Sequence, residues 1–339
     1  MSGFDPNAPV PVGSGIFGLD VSEADAGVVL VPVPWEATTS YGGGTAKGPE
    51  AILAASHQLD YFDVDVGTPY EAGIHMIPVS SRATALNRAA KPWAQLVIDP
   101  GDATPEQLRD AREAVNRASG ELNTYVHSAA LERIRRGKLV GVVGGDHSVA
   151  FGAIAAHAES YGPIGVLQFD AHADLRKAYH GFSYSHASVM RAVLDEIPGV
   201  ASLVQIGIRD LCPEESALIR SNERIATHFD RELARARMKG QLAQLLDQIA
   251  EALPERLYVS FDIDGLDPKL CPHTGTPVPG GLELAEVSYL LDAVVSRGKV
   301  IVGFDLNEVA PGPDGDEWDG NVGARLLYKL IGFAVRSRA

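Results

Sequence analysis

An α/β fold, built on a mostly parallel sheet with helices on both faces, is predicted by three observations. Six short runs are apolar throughout and rich in β-branched residues, stretches of helical periodicity alternate with them, and polar clusters follow the carboxyl ends of several runs. In chain order the first run is GVVLVPV at 27–33, followed by helical candidates at 49–59 and 105–136. The second of these leads into KLVGVVG at 138–144, and a helix over 149–161 connects that run to IGVLQF at 164–169. SLVQIGI at 202–208, a helix over 242–252, RLYVSF at 256–261, KVIVGF at 299–304 and a helix over 322–335 complete the pattern. A strand without polar alternation is buried on both faces, as a parallel strand between two helical layers must be. Functional residues are then expected where such strands end, at the carboxyl edge of the sheet.

The chain has 339 residues, 45% of them hydrophobic, and a mean hydropathy near zero, which is ample material for a large core in a soluble protein. No Ser-, Gly- or charge-rich linker separates the polar clusters, so a single domain over 1–339 is expected, with 1–25 as an N-terminal surface arm. A formal net charge of −15 disfavours nucleic acid and anionic membrane as partners and suits cationic ligands, although solubility accounts for much of it. Cys212 and Cys271 stand outside any CxxC or Cys/His spacing, which excludes a disulfide framework and points to the reducing cytoplasm. The amino terminus lacks a basic patch followed by an apolar stretch, and no segment reaches the roughly 20 apolar residues of a membrane span.

Chemistry concentrates at three strand ends. IGVLQFD runs into AHAD, placing Asp170, His172 and Asp174 at alternate positions, where side chains of an extended segment point the same way. KLVGVVG runs into Gly145, Asp146 and His147, and RLYVSF runs into Asp262, Asp264 and Asp267. Singly each has a plainer reading: Asp146 as a helix cap, Asp267 before Pro268 as a turn residue. Together they form an oxygen-rich ligand set with two imidazoles, which suits Mn²⁺, with Ni²⁺, Co²⁺ or Fe²⁺ as further options. The set is large enough for two divalent metal ions, the arrangement that activates water at neutral pH.

GGDHS (144–148), DAHAD (170–174) and SFDIDGLDPKLCPHTGTPVPGG (260–281) resemble the three signatures of the ureohydrolases, the arginase and agmatinase family. The resemblance extends to TTSYGGGTAKGPEAI, YSHASVMRAV, QIGIR and GFDLNEVAP, and so covers most of the chain. It implies a three-layer α/β/α sandwich, two manganese ions per chain and a homotrimer or homohexamer. It further implies that His147, Asp170, Asp174 and Asp262 hold one metal and that Asp170, His172, Asp262 and Asp264 hold the other, with Asp170 and Asp262 bridging. Glu308 of NEVAP matches the carboxylate that grips the substrate guanidinium, a planar cation suited to paired N–H donation. His186 matches the histidine used for proton transfer, although this chain has Ala187 where the family commonly has Gly. Asp174 is expected to carry a proton to the departing nitrogen.

The activity so implied is hydrolysis of a small cationic guanidino substrate to urea and an amine. Where arginases carry an Asn that reads the α-carboxylate of arginine, this chain has Arg176, which disfavours arginine. The segment 174–193 resembles the agmatinase version, so agmatine is the first expectation. Arg176, facing the pocket, would instead repel agmatine's distal ammonium and welcome a carboxylate such as that of guanidinobutyrate. Aminopropylagmatine and free guanidine are further alternatives; a deacetylase and a non-catalytic subunit are the readings from other classes.

Overall fold

The computed structural model describes residues 5–8, 10 and 13–339. Eight strands form one sheet: β1 (Val28–Pro32), β2 (Ile74–Met76), β3 (Leu139–Val143), β4 (Ile164–Phe169), β5 (Val200–Ile208), β6 (Ile225–Phe229), β7 (Arg256–Asp262) and β8 (Val300–Asn307). Their order is β2-β1-β3-β8-β7-β4-β5-β6, and every pairing is parallel. All six apolar runs are strands. The inner ones are buried on both faces, which is why their sequences show no alternation.

One helical layer consists of α2 (Ser81–Ile98), α3 (Pro105–Arg135), α4 (Ala150–Tyr161), α5 (Val189–Glu196) and α6 (Pro213–Ser221). The other consists of α1 (Gly48–Ser56), α7 (Asp230–Met238), α8 (Leu242–Ala252), α9 (Leu284–Ser296) and α10 (Trp318–Arg336). Two separate apolar cores therefore sandwich the sheet, and the architecture is the expected three-layer α/β/α. Its longest helix, α3, starts with a reciprocal cap: the Gln107 backbone N–H donates to Thr104 Oγ1 while Gln107 Oε1 accepts from the Thr104 N–H, with Pro105 in the first turn.

The two strands the periodicity did not reveal, β2 and β6, are the sheet edges. Each pairs on one side only and is partly exposed, so neither carries a continuous apolar run. Helices α2, α5, α6, α7 and α9 were likewise not expected; α2 buries only Ala83, Ala90, Ala94 and Val97, a face too small to mark itself. The surface arm expected over 1–25 is shorter than that. Residues 5–8 and 13 are exposed, but Ile16, Phe17 and Leu19 are buried, with the Phe17 ring 5.0 Å from that of Tyr328 on α10 and its N–H on Ser56 Oγ at 2.9 Å. Burial of these apolar side chains draws the segment into the core; residues 1–4, 9, 11 and 12 lie outside the described residues.

Candidate metal centre

Val143, Leu306, Phe261 and Phe169 form one register row across the adjacent strands β3, β8, β7 and β4. The residues just beyond that row include His147, Glu308, Asp262 and Asp170, so segments far apart in sequence converge on one carboxyl edge. Gly145 permits the approach: a Cβ there would lie 1.7 Å from the Trp35 carbonyl oxygen. Asp146 is the structural cap, its Oδ1 accepting the Ser148 N–H at 3.1 Å and its Oδ2 the Thr38 hydroxyl at 2.8 Å.

His147 is oriented from behind. The Ser260 hydroxyl donates to Asp305 Oδ1 at 2.9 Å, so its oxygen is left to accept from His147 Nε2 at 2.9 Å. That assigns a ring proton to Nε2 and turns Nδ1 toward Asp170 Oδ2 at 3.0 Å, Asp174 Oδ2 at 3.0 Å and Asp262 Oδ2 at 3.5 Å. On the other side His172 Nδ1 lies 3.0 Å from Asp264 Oδ2 and 3.6 Å from Asp170 Oδ1. Two clusters result, His147–Asp170–Asp262 and Asp170–His172–Asp264, which share Asp170. All six expected ligands are thus brought together, Asp174 joining the first cluster through its distance to His147.

The electrostatics are those of a site built for cations. Burial and the charges of Asp264 and Asp170 push Asp262 well above the carboxylate range, and burial with Asp170 pushes Asp174 up to about 7. Burial, then Asp146, raises Glu308 as well. Burial alone would lower His172 and His147, but the carboxylates beside them more than offset it and hold both above the imidazole range. His147 Nδ1 is buried without a hydrogen bond despite carboxylate oxygens at 3.0 Å. A ring nitrogen aimed into a nest of buried carboxylates fits divalent metal ions, which would take the place of its proton, and hard oxygen donors with two imidazoles fit the same class.

Glu308 is buried at the end of β8, its Oε1 accepting the His147 N–H at 2.9 Å; Gly275 passes so close that a Cβ there would meet Oε2 at 3.4 Å. A cavity of about 170 Å³ opens over the second cluster, lined by His172, Asp174, Arg176, Tyr179, His186 and Asp210 among others. His186 sits on its wall with Nε2 3.4 Å from Ser40 Oγ, and burial together with the neighbouring imidazoles pushes it down to about 4. Arg176 also lines the cavity, its guanidinium 5.1 Å from the Tyr179 ring centre and 3.9 Å from the buried Glu215 carboxylate. Sequence reasoning missed Ser260, Asp305 and Glu215; the signal for the first was a polar residue inside an otherwise apolar run, and Asp305 follows directly on another.

A parallel sheet whose central strands deliver two ligand clusters sharing one carboxylate fits a dinuclear-metal centre of the class that activates water for hydrolysis. Comparison with known proteins narrows the class. The arginase family profile matches residues 26–332. N(1)-aminopropylagmatine ureohydrolase from Thermus thermophilus is 36% identical over 321 residues, covering 94% of each chain, and agmatinase from Pyrococcus horikoshii is 30% identical, covering 94% and 95%. Among solved structures, proclavaminate amidinohydrolase from Streptomyces clavuligerus superposes with a TM-score of 0.71 at 26% identity, covering 98% of this chain and all of the other. The chain belongs to the arginase family. It is accordingly a hydrolase of C–N bonds in linear amidines, one that cleaves guanidino groups to urea, in a family that uses a binuclear divalent-metal centre. Among the described residues no helix is long and apolar enough to cross a membrane.

Proposed function

We propose that the substrate is agmatine, cleaved to urea and a diamine, with Mn²⁺ as the metal. The observation that carries this reading is Glu308: a buried carboxylate with one oxygen spent on the His147 backbone and the other left to receive guanidinium N–H groups beside both clusters. His147, Asp170, Asp174 and Asp262 would hold one ion, and Asp170, His172, Asp262 and Asp264 would hold the other. Bound there, the pair would supply water activated at neutral pH and offset the charge that develops as the guanidino carbon becomes tetrahedral.

The chain's own residues do the rest. Glu308 orients the planar cation, whose charge satisfies a carboxylate that burial otherwise disfavours. Asp174 takes up the proton that the attacking water gives up and passes it to the departing amine nitrogen, and His186, whose basicity burial lowers, exchanges protons with solvent through the cavity. Glu215 and the Tyr179 ring hold Arg176 and offset its charge, and Asp210 lies exposed on the same wall, so the cavity admits a distal ammonium despite the arginine.

N(1)-aminopropylagmatine is the second reading, favoured by ureohydrolases of that name in Thermus thermophilus and Synechocystis at 36% and 33% identity. The test is urea release from agmatine, aminopropylagmatine, guanidinobutyrate, arginine and guanidine, with protein reconstituted separately with Mn²⁺ and Ni²⁺. Agmatine should dominate with Mn²⁺. Preference for aminopropylagmatine selects the second reading, and preference for guanidinobutyrate or arginine overturns both. We also assign the protein a homotrimeric or homohexameric state, which light scattering on the same preparation checks; a monomer would contradict it.

A further inference from the structure

We infer that Gln168, Gln205 and Thr227 form a directional hydrogen-bond relay that seats Asp170, the carboxylate shared by the two clusters. The inference rests on the metal-centre reading above. Gln168 on β4 and Gln205 on β5 are fully buried in largely apolar strands, and each amide would be costly there if left unbonded. Both are bonded at each end. Gln168 Nε2 lies 2.7 Å from Asp170 Oδ2, Gln205 Nε2 lies 2.7 Å from Gln168 Oε1 and 2.8 Å from the Ala173 carbonyl, and Thr227 Oγ1 on β6 lies 2.8 Å from Gln205 Oε1.

The carboxylate dictates the direction of every link. An ionised Asp170 only accepts, so Gln168 must present its NH₂ to it and its oxygen to Gln205. Gln205 must then present its own NH₂, which leaves its oxygen for the Thr227 hydroxyl. The register of three adjacent strands supports this, since Gln168 pairs with Gln205 and Gln205 with Thr227 across the sheet. Each oxygen of Asp170 has thereby one fixed donor: Oδ2, on the His147 side, takes Gln168, and Oδ1, on the His172 side, takes the His172 backbone N–H at 2.6 Å. The carboxylate plane is set so that one oxygen serves each cluster. Gln168, Gln205 and Thr227 are positioning residues; none lines the substrate cavity.

The experiment is calorimetric titration of metal-stripped protein with Mn²⁺, alongside thermal melting of the same stripped samples, for wild type, Gln168→Leu and Thr227→Val. Outer groups that orient a metal ligand typically change affinity about 10- to 100-fold. Gln168→Leu, similar in volume but without the donor, should weaken Mn²⁺ binding by about that factor while the metal-free protein still melts in one cooperative transition. Thr227→Val, two links away, should weaken it in the same direction by a smaller factor and keeps the test decisive should Gln168→Leu fail to fold. Unchanged Mn²⁺ affinity in both folded variants, or in Thr227→Val alone if only it folds, overturns the relay while leaving the metal-centre reading intact. Absence of Mn²⁺ binding by wild type would sink both.

Discussion

Glu308 and Asp174 both occupy left-handed backbone, with φ of 62° and 55°, a conformation that costs a non-glycine residue about 1–3 kcal/mol when strained. Each is held there: the Glu308 N–H donates to the Gly145 carbonyl at 2.8 Å and its carbonyl accepts from Thr274 Oγ1 at 2.8 Å, while the Asp174 carbonyl accepts from the N–H groups of Met190 and Arg191, both at 3.1 Å. The turns aim both carboxylates at the site. The hydrogen bonds of His186, by contrast, are to Ser40 and Thr38 rather than to a candidate ligand, so His186→Asn should lower kcat roughly tenfold or more with metal content unchanged. Equal kcat in that variant removes the residue from proton transfer. Titration gives a second test at this scale. The Asp174 carboxyl stands at about 7 in the folded protein against 3.8 ordinarily, so the folded metal-free chain retains a proton that the unfolded chain has lost. Its stabilising contribution is fully present below 3.8 and is lost as pH rises through about 7. Metal uptake needs the same group ionised, so the gap in melting temperature between Mn²⁺-loaded and stripped protein should widen from about pH 5 to about pH 7.5. A gap that narrows over that window would contradict the ligand role of Asp174.

At the scale of elements, legibility followed burial. β1, β3, β4, β7 and most of β5 and β8 were readable because strands enclosed by helices on both faces must be apolar throughout. β8 runs past its apolar stretch through Asp305 and Asn307, polar residues that a buried strand tolerates only because Asp305 Oδ1 accepts from Ser260, Phe261 and Asn307. Helices with alanine-rich or short apolar faces, α2 and α6 among them, left too weak a period to find. The turn after β3 is the element most exposed to a single change. Gly145→Ala would drive a Cβ into the Trp35 carbonyl, and the backbone has to move. Destabilisation by about 1–3 kcal/mol in urea denaturation, with weaker Mn²⁺ binding because His147 is displaced, is the expected result. Wild-type stability in that variant would mean the turn is far more yielding than its contacts indicate.

Across the whole molecule the sheet places four carboxylate-bearing strand ends side by side, where burial first and the neighbouring carboxylates second disfavour their ionised forms. Divalent ions bound by the folded chain alone offset that cost. At a free metal concentration of about 100 times Kd, linkage adds about 2.7 kcal/mol per site to folding. Chelation should therefore lower the melting temperature by several degrees and Mn²⁺ should restore it, as differential scanning calorimetry would record. No shift on chelation would argue against a metal-linked fold. The sequence by itself determined the fold class and the buried strands through its periodicity and the family through its motifs, and it named the candidate ligands, because periods of 2 and 3.6 and the donor chemistry of Asp and His are properties of short segments. Only the tertiary structure decided which strands lie at the edges, where the N-terminal segment joins the core, how Ser260 and Asp305 orient His147, and that Glu215 restrains Arg176. Those depend on contacts between segments tens to hundreds of residues apart, which packing sets and no local pattern encodes.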